Sequence, residues 1–444
     1  MSKHVRWLQE QLKSWVAEGL VSPQQAEQIQ RRYPEPKGGA PWGTIIFAGL
    51  GAIVFGLGVI LLFAYNWQAI PKAGKLAVIF LSILASHATG LWLFARQDWR
   101  RPLGEALTLL GTMLFGSGIW LVAQIYHIDE HFPNGFLLWA VGALALAWAM
   151  PSIAQGILSV VLLCIWACSE TWGFDHTLHI APWLILLGVG GLSWHLRSRL
   201  LLVFVLAGLN LTFLATVGSI TGELVLPVWL NLAAAFLAVG KLTGKRQWFA
   251  ASEPVWRFFG WFGFLVSLYL LTFGDLAGDV LGWAGSGEQK TASTVLMYAW
   301  GAFAVAVLTW LPLAAELIGS GEGRRLALTE SPEEWLVPLT AILLHVVCVS
   351  QLYREEWLVA GIFNLVFLAL SAAWMGRGCR SGLVRPTVLG SLLFTALAIA
   401  RYFDLFDSLL VRGFVFLAVG GVLFAEGILF MRARRRARTQ EPGR

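Results

Sequence analysis

The chain has 444 residues, of which 57% are hydrophobic and only 13% are charged, and its mean hydropathy is +0.68. This balance excludes a water-soluble globular domain. The net charge of +6 does not indicate nucleic-acid binding, because the basic residues are scattered between apolar runs and never line one long polar face.

The polar segment 1–41 predicts a small helical headpiece on the cytoplasmic side. Ser22 stands before Pro23, with Gln25 three residues after Ser22, which is the form of a capping box that opens a second helix. Because this polar segment precedes the first apolar run, we expect no cleavable signal peptide and a retained first transmembrane helix. The first headpiece helix is indicated by apolar residues at helical spacing, namely Val5, Leu8, Leu12, Trp15 and Val16.

Fourteen apolar stretches follow from Trp42 onward, most of them near the roughly 20 residues that cross a bilayer. Backbone groups in lipid must bond within their own segment, so the stretches predict helices. The predicted fold is an all-α polytopic membrane protein, with a helix bundle over 42–431 and a basic cytoplasmic tail over 432–444. The stretches span residues 43–65, 74–95, 105–126, 134–150, 153–170, 180–196, 200–220, 223–240, 255–274, 293–315, 336–353, 357–375, 383–400 and 412–431.

The distribution of lysine and arginine predicts the orientation of these helices. With the N-terminus inside, 25 of these residues fall in cytoplasmic segments and six in outside loops. Basic residues collect on the cytoplasmic side of membrane proteins, so both termini are predicted to be cytoplasmic. The hairpin at Met150 carries no charge, and a re-entrant segment over 134–170 would reduce the fourteen crossings to twelve without changing either terminus.

No sequence motif identifies a reaction. The chain contains no phosphate-binding glycine loop, no Gly-x-Ser-x-Gly elbow and no His-Glu-x-x-His pair. We therefore expect no cofactor, and the sequence favours a protein that is not an enzyme. The four cysteines lie in or beside apolar stretches and are expected to be free thiols, namely Cys164, Cys168, Cys348 and Cys379.

Three segments resemble one family of bacterial membrane proteins, grouped as domain of unknown function 2157. They are Phe-Ala-Tyr-Asn-Trp-Gln-Ala-Ile-Pro at 63–71, Ala-Gln-Ile-Tyr-His-Ile at 123–128 and Pro-Asn-Gly-Phe-Leu-Leu-Trp-Ala at 133–140. The resemblance is best over about 10–150, and Arg-Tyr-Phe-Asp at 401–404 is similar to the family's C-terminal end. It implies an inner-membrane protein of unassigned activity, with no established cofactor or catalytic residue.

Two predicted outside loops contain four of the eight histidines, together with carboxylates. Imidazole and carboxylate groups at these spacings are suited to binding a divalent cation or to exchanging protons near neutral pH. The alternative interpretation is ordinary solvated loop polarity. The candidate residues are His127, Asp129, His131, Asp175, His176 and His179.

Ionisable side chains within the apolar stretches form a second group of candidates, because such groups are costly in lipid. His87 and His345 lie mid-segment, and Glu426 is singled out as the acidic residue within a hydrocarbon segment. Glu426 is expected to face protein or water with a donor nearby. In a proton-linked path, Glu426→Gln would abolish flux and Glu426→Asp would partly preserve it. Asn66 and Gln124 add uncharged polarity.

Arg401 and Asp404 follow the thirteenth stretch and are three residues apart, so both lie on one helical face. This spacing predicts a local ion pair at an outer corner. The alternative is that Arg401 binds an anionic head group.

The sequence favours two functions: transport of a small or lipid-linked solute, or a non-catalytic role as a subunit of an envelope complex. A membrane-embedded enzyme with its site in the outer loops, and a sensor, are the less favoured alternatives. Both favoured functions place the protein in the bacterial inner membrane, in contact with the lipid bilayer and without nucleic acid. The second requires a membrane-protein partner. A shared polar cavity at His87, His345 and Glu426 would favour transport.

The charge distribution yields a labelling test of the topology. Single cysteines introduced at Glu130 and Ser286 should react in intact cells with a membrane-impermeant thiol reagent, because both loops are predicted to be outside. A cysteine introduced at Ser331 should react with the same reagent only after the membrane is permeabilised. Labelling of Ser331→Cys in intact cells would contradict the predicted orientation.

Overall fold

The computed structural model describes most of the chain and shows only helices as regular elements in that part. Residues up to Val78 and residues from Ile79 onward form two separate compact units. The described ranges are 2–32, 70–96, 101–128, 131–176, 180–221, 225–277, 289–319, 333–350, 355–405, 417–429 and 431–432.

The N-terminal unit begins with two helices, α1 (Ser2–Ala17) and α2 (Pro23–Arg32). The predicted capping box is confirmed, because the Ser22 N–H donates to Gln25 Oε1 at 3.0 Å and the Gln25 N–H donates to Ser22 Oγ at 3.2 Å. These reciprocal bonds satisfy backbone groups that the start of α2 leaves without a helical partner. The predicted boundary of the headpiece at residue 41 lies outside the described residues.

The remaining described helices account for thirteen of the fourteen predicted stretches, and the stretch 43–65 lies outside the described residues. The helices are α3 (Lys72–Ala95), α4 (Arg101–Tyr126), α5 (Pro133–Ala149), α6 (Ile153–Gly173), α7 (Ala181–Trp183, Leu184–Gly190 and Gly191–His195), α8 (Arg199–Thr221), α9 (Val225–Lys245), α10 (Glu253–Leu270), α11 (Gln289–Gly319), α12 (Glu333–Val349), α13 (Glu356–Ser381), α14 (Val384–Leu405) and α15 (Leu417–Leu429).

The predicted class, an all-α polytopic membrane protein, is confirmed. Eight of the described helices are long and apolar enough to cross a bilayer by length and composition alone. The exact number of crossings remains a prediction. The basic tail over 432–444 lies outside the described residues except for its first residue.

The uncharged hairpin at Met150 joins two helices that pack along each other, α5 and α6. Their 17 and 21 residues correspond to about 26 and 32 Å at 1.5 Å per residue. Ser152 caps α6 by accepting the Gln155 N–H. Helices of these lengths favour two full crossings over a shallow re-entrant segment.

The sixth predicted stretch, 180–196, differs from a regular helix. Its middle section, Leu184–Gly190, is a π-helix, which has a wider turn than the α-helical sections before and after it. The Trp148 indole of α5 donates to the Gly188 carbonyl at 2.9 Å, within this section. Hydropathy alone does not predict this change in backbone hydrogen bonding, because the apolar pattern is continuous.

Two large clusters of buried apolar side chains hold the bundle together. One packs α5 to α8 around residues such as Leu163, Ile185 and Leu206. The other packs α9 to α13 around residues such as Phe264 and Phe363. Because lipid tails are as apolar as these side chains, close packing rather than escape from water stabilises the helix contacts.

Glycine allows α3 and α4 to approach closely. A Cβ added at Gly104 would lie 2.4 Å from the Phe94 backbone N and 2.7 Å from the Gly90 carbonyl O. A Cβ added at Gly90 would lie 2.8 Å from the Thr108 backbone N. Any larger side chain at this crossing must therefore displace a helix backbone.

The close contact between α3 and α4 leads us to expect different stabilities for two glycine variants. Gly104→Ala should reduce stability by about 1–3 kcal/mol, because its methyl group overlaps the α3 backbone. Gly361→Ala on α13 is the control, since a Cβ there meets nothing within 4 Å. Thermal unfolding of the purified protein in detergent measures both. Equal midpoints for the two variants would contradict the close crossing.

Candidate functional site

Two histidines from separate loops converge on one carboxylate. His131 Nε2 lies 2.7 Å from Glu170 Oε2, and His176 Nδ1 lies 3.0 Å from the same oxygen. The two imidazole rings are 5.6 Å apart between centroids. We call these three residues the His-Glu-His cluster. It lies on the predicted outer side, at the start of α5 and the end of α6.

The chain turns back at the end of α6, and this turn places the His176 side chain beside Glu170. The N–H groups of Phe174 and His176 both donate to the Glu170 carbonyl O, at 3.2 and 3.0 Å. Asp175 between them has φ +54°, in the left-handed region that ends a helix. His131 reaches the cluster from the other loop because it stands two residues before Pro133, the first residue of α5.

The cluster has a buried centre and an open side. The Glu170 side chain is only 6% exposed, whereas the side chains of His131 and His176 are 27% and 63% exposed. The Phe174 ring packs edge-on against His131, with 4.1 Å between centroids. The carboxylate is therefore held inside the protein, and His176 separates it from the outside.

The structure brings together two of the six predicted outer-face residues. The His127 ring Nδ1 lies 3.0 Å from the Gln124 carbonyl O, within its own helix end, so His127 acts as a local cap of α4. Asp175 is exposed and shapes the turn rather than contacting the cluster. Asp129 and His179 lie outside the described residues.

Glu170, the central residue of the cluster, was not among the predicted site residues. The prediction that Glu426 is the one acidic residue within a hydrocarbon segment is wrong. Two other glutamates lie within apolar helices: Glu170 near the end of α6 and Glu105 near the start of α4. The sequence does contain a signal for Glu170: it is an acidic residue at the end of the predicted stretch 153–170, between the histidine pair at 127 and 131 and the pair at 176 and 179.

Polar side chains also recur along one face of α6, from its cap towards its outer end. The Ser152 hydroxyl donates to Glu105 Oε1 at 2.5 Å, and Gln155 Nε2 donates to Thr112 Oγ1 at 2.9 Å. Gln155 is fully buried, and its Oε1 has no hydrogen-bond partner in the described part of the chain. Because buried polar atoms are normally paired, this oxygen is an unused hydrogen-bond acceptor inside the bundle.

The spacing of these residues defines a continuous stripe. Residues 152, 155, 159, 163, 166 and 170 are three or four apart and lie on one helical face. Leu163 interrupts its polarity, and the indole N–H of Trp166 is buried without a partner in the described residues. We call this set the polar face of α6.

The three predicted intramembrane ionisable residues lie against different helices. His87 of α3 packs on Gly111 of α4, where an added Cβ would lie 2.9 Å from the ring. His345 of α12 lies against the rings of Trp300 and Phe303 in α11, with centroids 4.1 and 4.0 Å away. No contact among the described residues joins these histidines to each other or to Glu426.

Glu426 of α15 faces protein and not lipid. It is 6% exposed, and the Ser391 hydroxyl of α14 donates to its Oε2 at 2.7 Å. Its Oε1 is buried without a partner in the described residues. This placement agrees with the expectation of a buried carboxyl beside a donor.

The other predicted candidates lie at helix ends or outside the described part. Gln124 is exposed near the end of α4. Arg401 Nη2 lies 3.4 Å from Thr272 Oγ1, and its guanidinium lies 4.5 Å from the centroid of the Phe273 ring. The Asp404 side chain and Asn66 lie outside the described residues, so the predicted Arg401–Asp404 ion pair stays a prediction.

One comparison with known proteins gives a match. Residues 13–155 match the model of a family described as predicted membrane protein (DUF2157). The resemblance is confirmed over that region. No curated protein and no solved structure matches the chain. The matched region includes Ser152 and Gln155 of the polar face but ends before Glu170 and His176. The family description agrees with the helices seen here, and the protein is a multi-pass α-helical membrane protein.

The buried Glu426 carboxyl predicts a difference between two serine variants. Ser391→Ala should reduce stability by about 1–3 kcal/mol, because it removes the described donor to a buried carboxyl. Ser371→Ala is the control, since the buried Ser371 hydroxyl donates to the Phe367 carbonyl of its own helix rather than to a carboxyl. Thermal unfolding in detergent measures both, and a loss no larger for Ser391→Ala would refute the role of this contact.

Proposed function

We propose that the protein is a transporter of a small or lipid-linked solute in the bacterial inner membrane. The observation that supports this proposal is the polar face of α6. Its inner part carries Ser152, Gln155 and Ser159, and its outer end carries Glu170. Polar groups inside a bilayer are costly, and they commonly mark substrate and ion pathways.

The polar face extends far enough to serve a solute that crosses the bundle. Gln155 and Glu170 are 15 positions apart on α6, which corresponds to about 22 Å along the helix. Both side chains point into protein, since Gln155 is fully buried and Glu170 is 4% exposed. A polar solute would meet hydrogen-bonding groups near each end and a short apolar barrier at Leu163.

The unpaired oxygen of Gln155 supplies a specific interaction for such a solute. Gln155 Nε2 is held by Thr112, which fixes the amide and leaves Oε1 available as an acceptor. Ser159 lies one turn further along α6, and its hydroxyl donates to the backbone carbonyl of Gln155, which leaves the side-chain Oε1 unused. A donor group on the solute would pair with Oε1 as it passes this point.

A second candidate function is a non-catalytic subunit of an envelope complex. The observation that favours it is the separation of His87, His345 and Glu426, which contact different helices rather than one shared space. A subunit needs only a packed bundle and a lipid- or partner-facing apolar surface. The two functions differ in whether water reaches the polar face of α6.

Substituted-cysteine labelling distinguishes them. In a chain with the four native cysteines replaced by Ala, Ser159→Cys should react with a water-soluble methanethiosulfonate reagent in membranes. The reaction requires a hydrated thiolate, so a water-accessible position should react at least about tenfold faster than a lipid-facing one. Val161→Cys is the matched control, because Val161 lies two residues away on α6 and is 40% exposed on the apolar surface.

The rates decide between the two functions. Fast labelling of Ser159→Cys and Gln155→Cys, with slow labelling of Val161→Cys, supports a water-accessible pathway. Equal, slow labelling at all three positions from both sides of the membrane would reject transport along α6 and favour the subunit function.

A further inference from the structure

We propose that the His-Glu-His cluster is a binding site for a divalent transition-metal ion, with Zn²⁺ as the ion best suited to it. The proposal shares Glu170 with the polar face of α6 but does not depend on transport, because it rests on the geometry of the three ligands at the outer ends of α5 and α6. His131, Glu170 and His176 would each contribute one ligand atom.

The ligand atoms are already close enough to share one ion. His131 Nε2, His176 Nδ1 and a Glu170 carboxylate O all lie within 4.8 Å of one another. Zinc bonds of about 2.0–2.2 Å in a tetrahedral site place neighbouring ligand atoms roughly 3.4 Å apart. The separations of 2.7 and 3.0 Å to Glu170 therefore need to widen by only about half an ångström.

The exposed side of the cluster offers room for this adjustment. Glu170 is buried and its backbone carbonyl is fixed by two N–H groups of the following turn. The side chain of His176 is 63% exposed, so solvent rather than packed protein lies on its outward side. An ion would therefore enter from the exposed face, with water completing the fourth position.

The chemistry of the ligand set selects the class of ion. Two imidazole nitrogens and one carboxylate oxygen suit Zn²⁺, and a set of two histidines and one glutamate with an open position is an established zinc arrangement. Mg²⁺ and Ca²⁺ prefer six or more oxygen ligands, which the described residues around the cluster do not supply. Cu²⁺ and Ni²⁺ share the preference for imidazole, so geometry and supply rather than ligand type separate them from zinc.

The surroundings would hold the ligands in orientation. The Phe174 ring packs against His131 and lies 5.4 Å from the Phe132 ring, between centroids. This aromatic contact restricts the His131 ring and shields one side of the ion from water. Groups outside the ligands often fix ligand orientation and change metal affinity by about 10–100-fold.

The ion would link two loops that are far apart in sequence. His131 and Glu170 are separated by 39 positions, so one bound ion would fasten the beginning of α5 to the end of α6. The outer ends of the two helices would then be held at a fixed distance from each other. Metal binding of this kind stabilises the folded state by a free energy that rises with the logarithm of the ratio of ion concentration to Kd.

Isothermal titration of the purified protein with ZnCl₂ tests the site, using protein without a polyhistidine tag in lipid nanodiscs. One Zn²⁺ per chain should bind to the unmodified protein. His176→Gln and His131→Gln should each weaken binding by at least about tenfold, because each removes a ligand. His176 is exposed, so its substitution preserves folding even if Glu170→Gln does not.

His127→Gln is the matched control, because His127 is an exposed histidine in the same loop as His131, and its ring Nδ1 lies against the Gln124 carbonyl of its own helix end. Its affinity should match that of the unmodified protein. X-ray absorption should show two imidazoles at about 2.0–2.1 Å from zinc. Absence of binding, or equal affinity in His176→Gln and the unmodified protein, would overturn the proposal and leave a hydrogen-bonded cluster.

Discussion

The hydrocarbon core of the membrane requires each buried polar group to find its partner within the protein, and the described structure follows from that requirement. Helices satisfy the backbone, so the long apolar stretches in the described part of the chain are helical. Side chains then pair across helices, as Gln155 does with Thr112 and Glu426 with Ser391. The groups that remain unpaired, such as Gln155 Oε1, are costly to keep and are therefore informative about function.

Sequence patterns predict the helices well because each depends on local information. Apolar length predicts where the described helices begin and end to within about six residues. The Ser22–Gln25 capping box is visible within four positions. The three segments that resemble the predicted membrane protein family also depend on contiguous residues. Their match over 13–155 is consistent with that local character.

The sites are less predictable, because they depend on contacts between distant loops and helices. Spacing indicates that His131 and His176 occupy loops on the same side, but only the packing of α5 against α6 brings both to Glu170. Glu170 was missed because it occupies the last turn of an apolar stretch. The separation of His87 from His345 is equally a result of helix order, which hydropathy does not encode.

The π-helical α7 has a consequence for the lipid around it. Its 15 residues from 181 to 195 extend about 22 Å, whereas the hydrocarbon layer is about 30 Å thick. Trp183 and Trp194, near its two ends, are 58% and 41% exposed, and tryptophan settles at the boundary between lipid and water. A crossing by α7, which the sequence predicts, would require the bilayer to thin beside this helix. A thinned patch next to the α5–α8 core would shorten the distance over which polar groups must be sheltered from lipid.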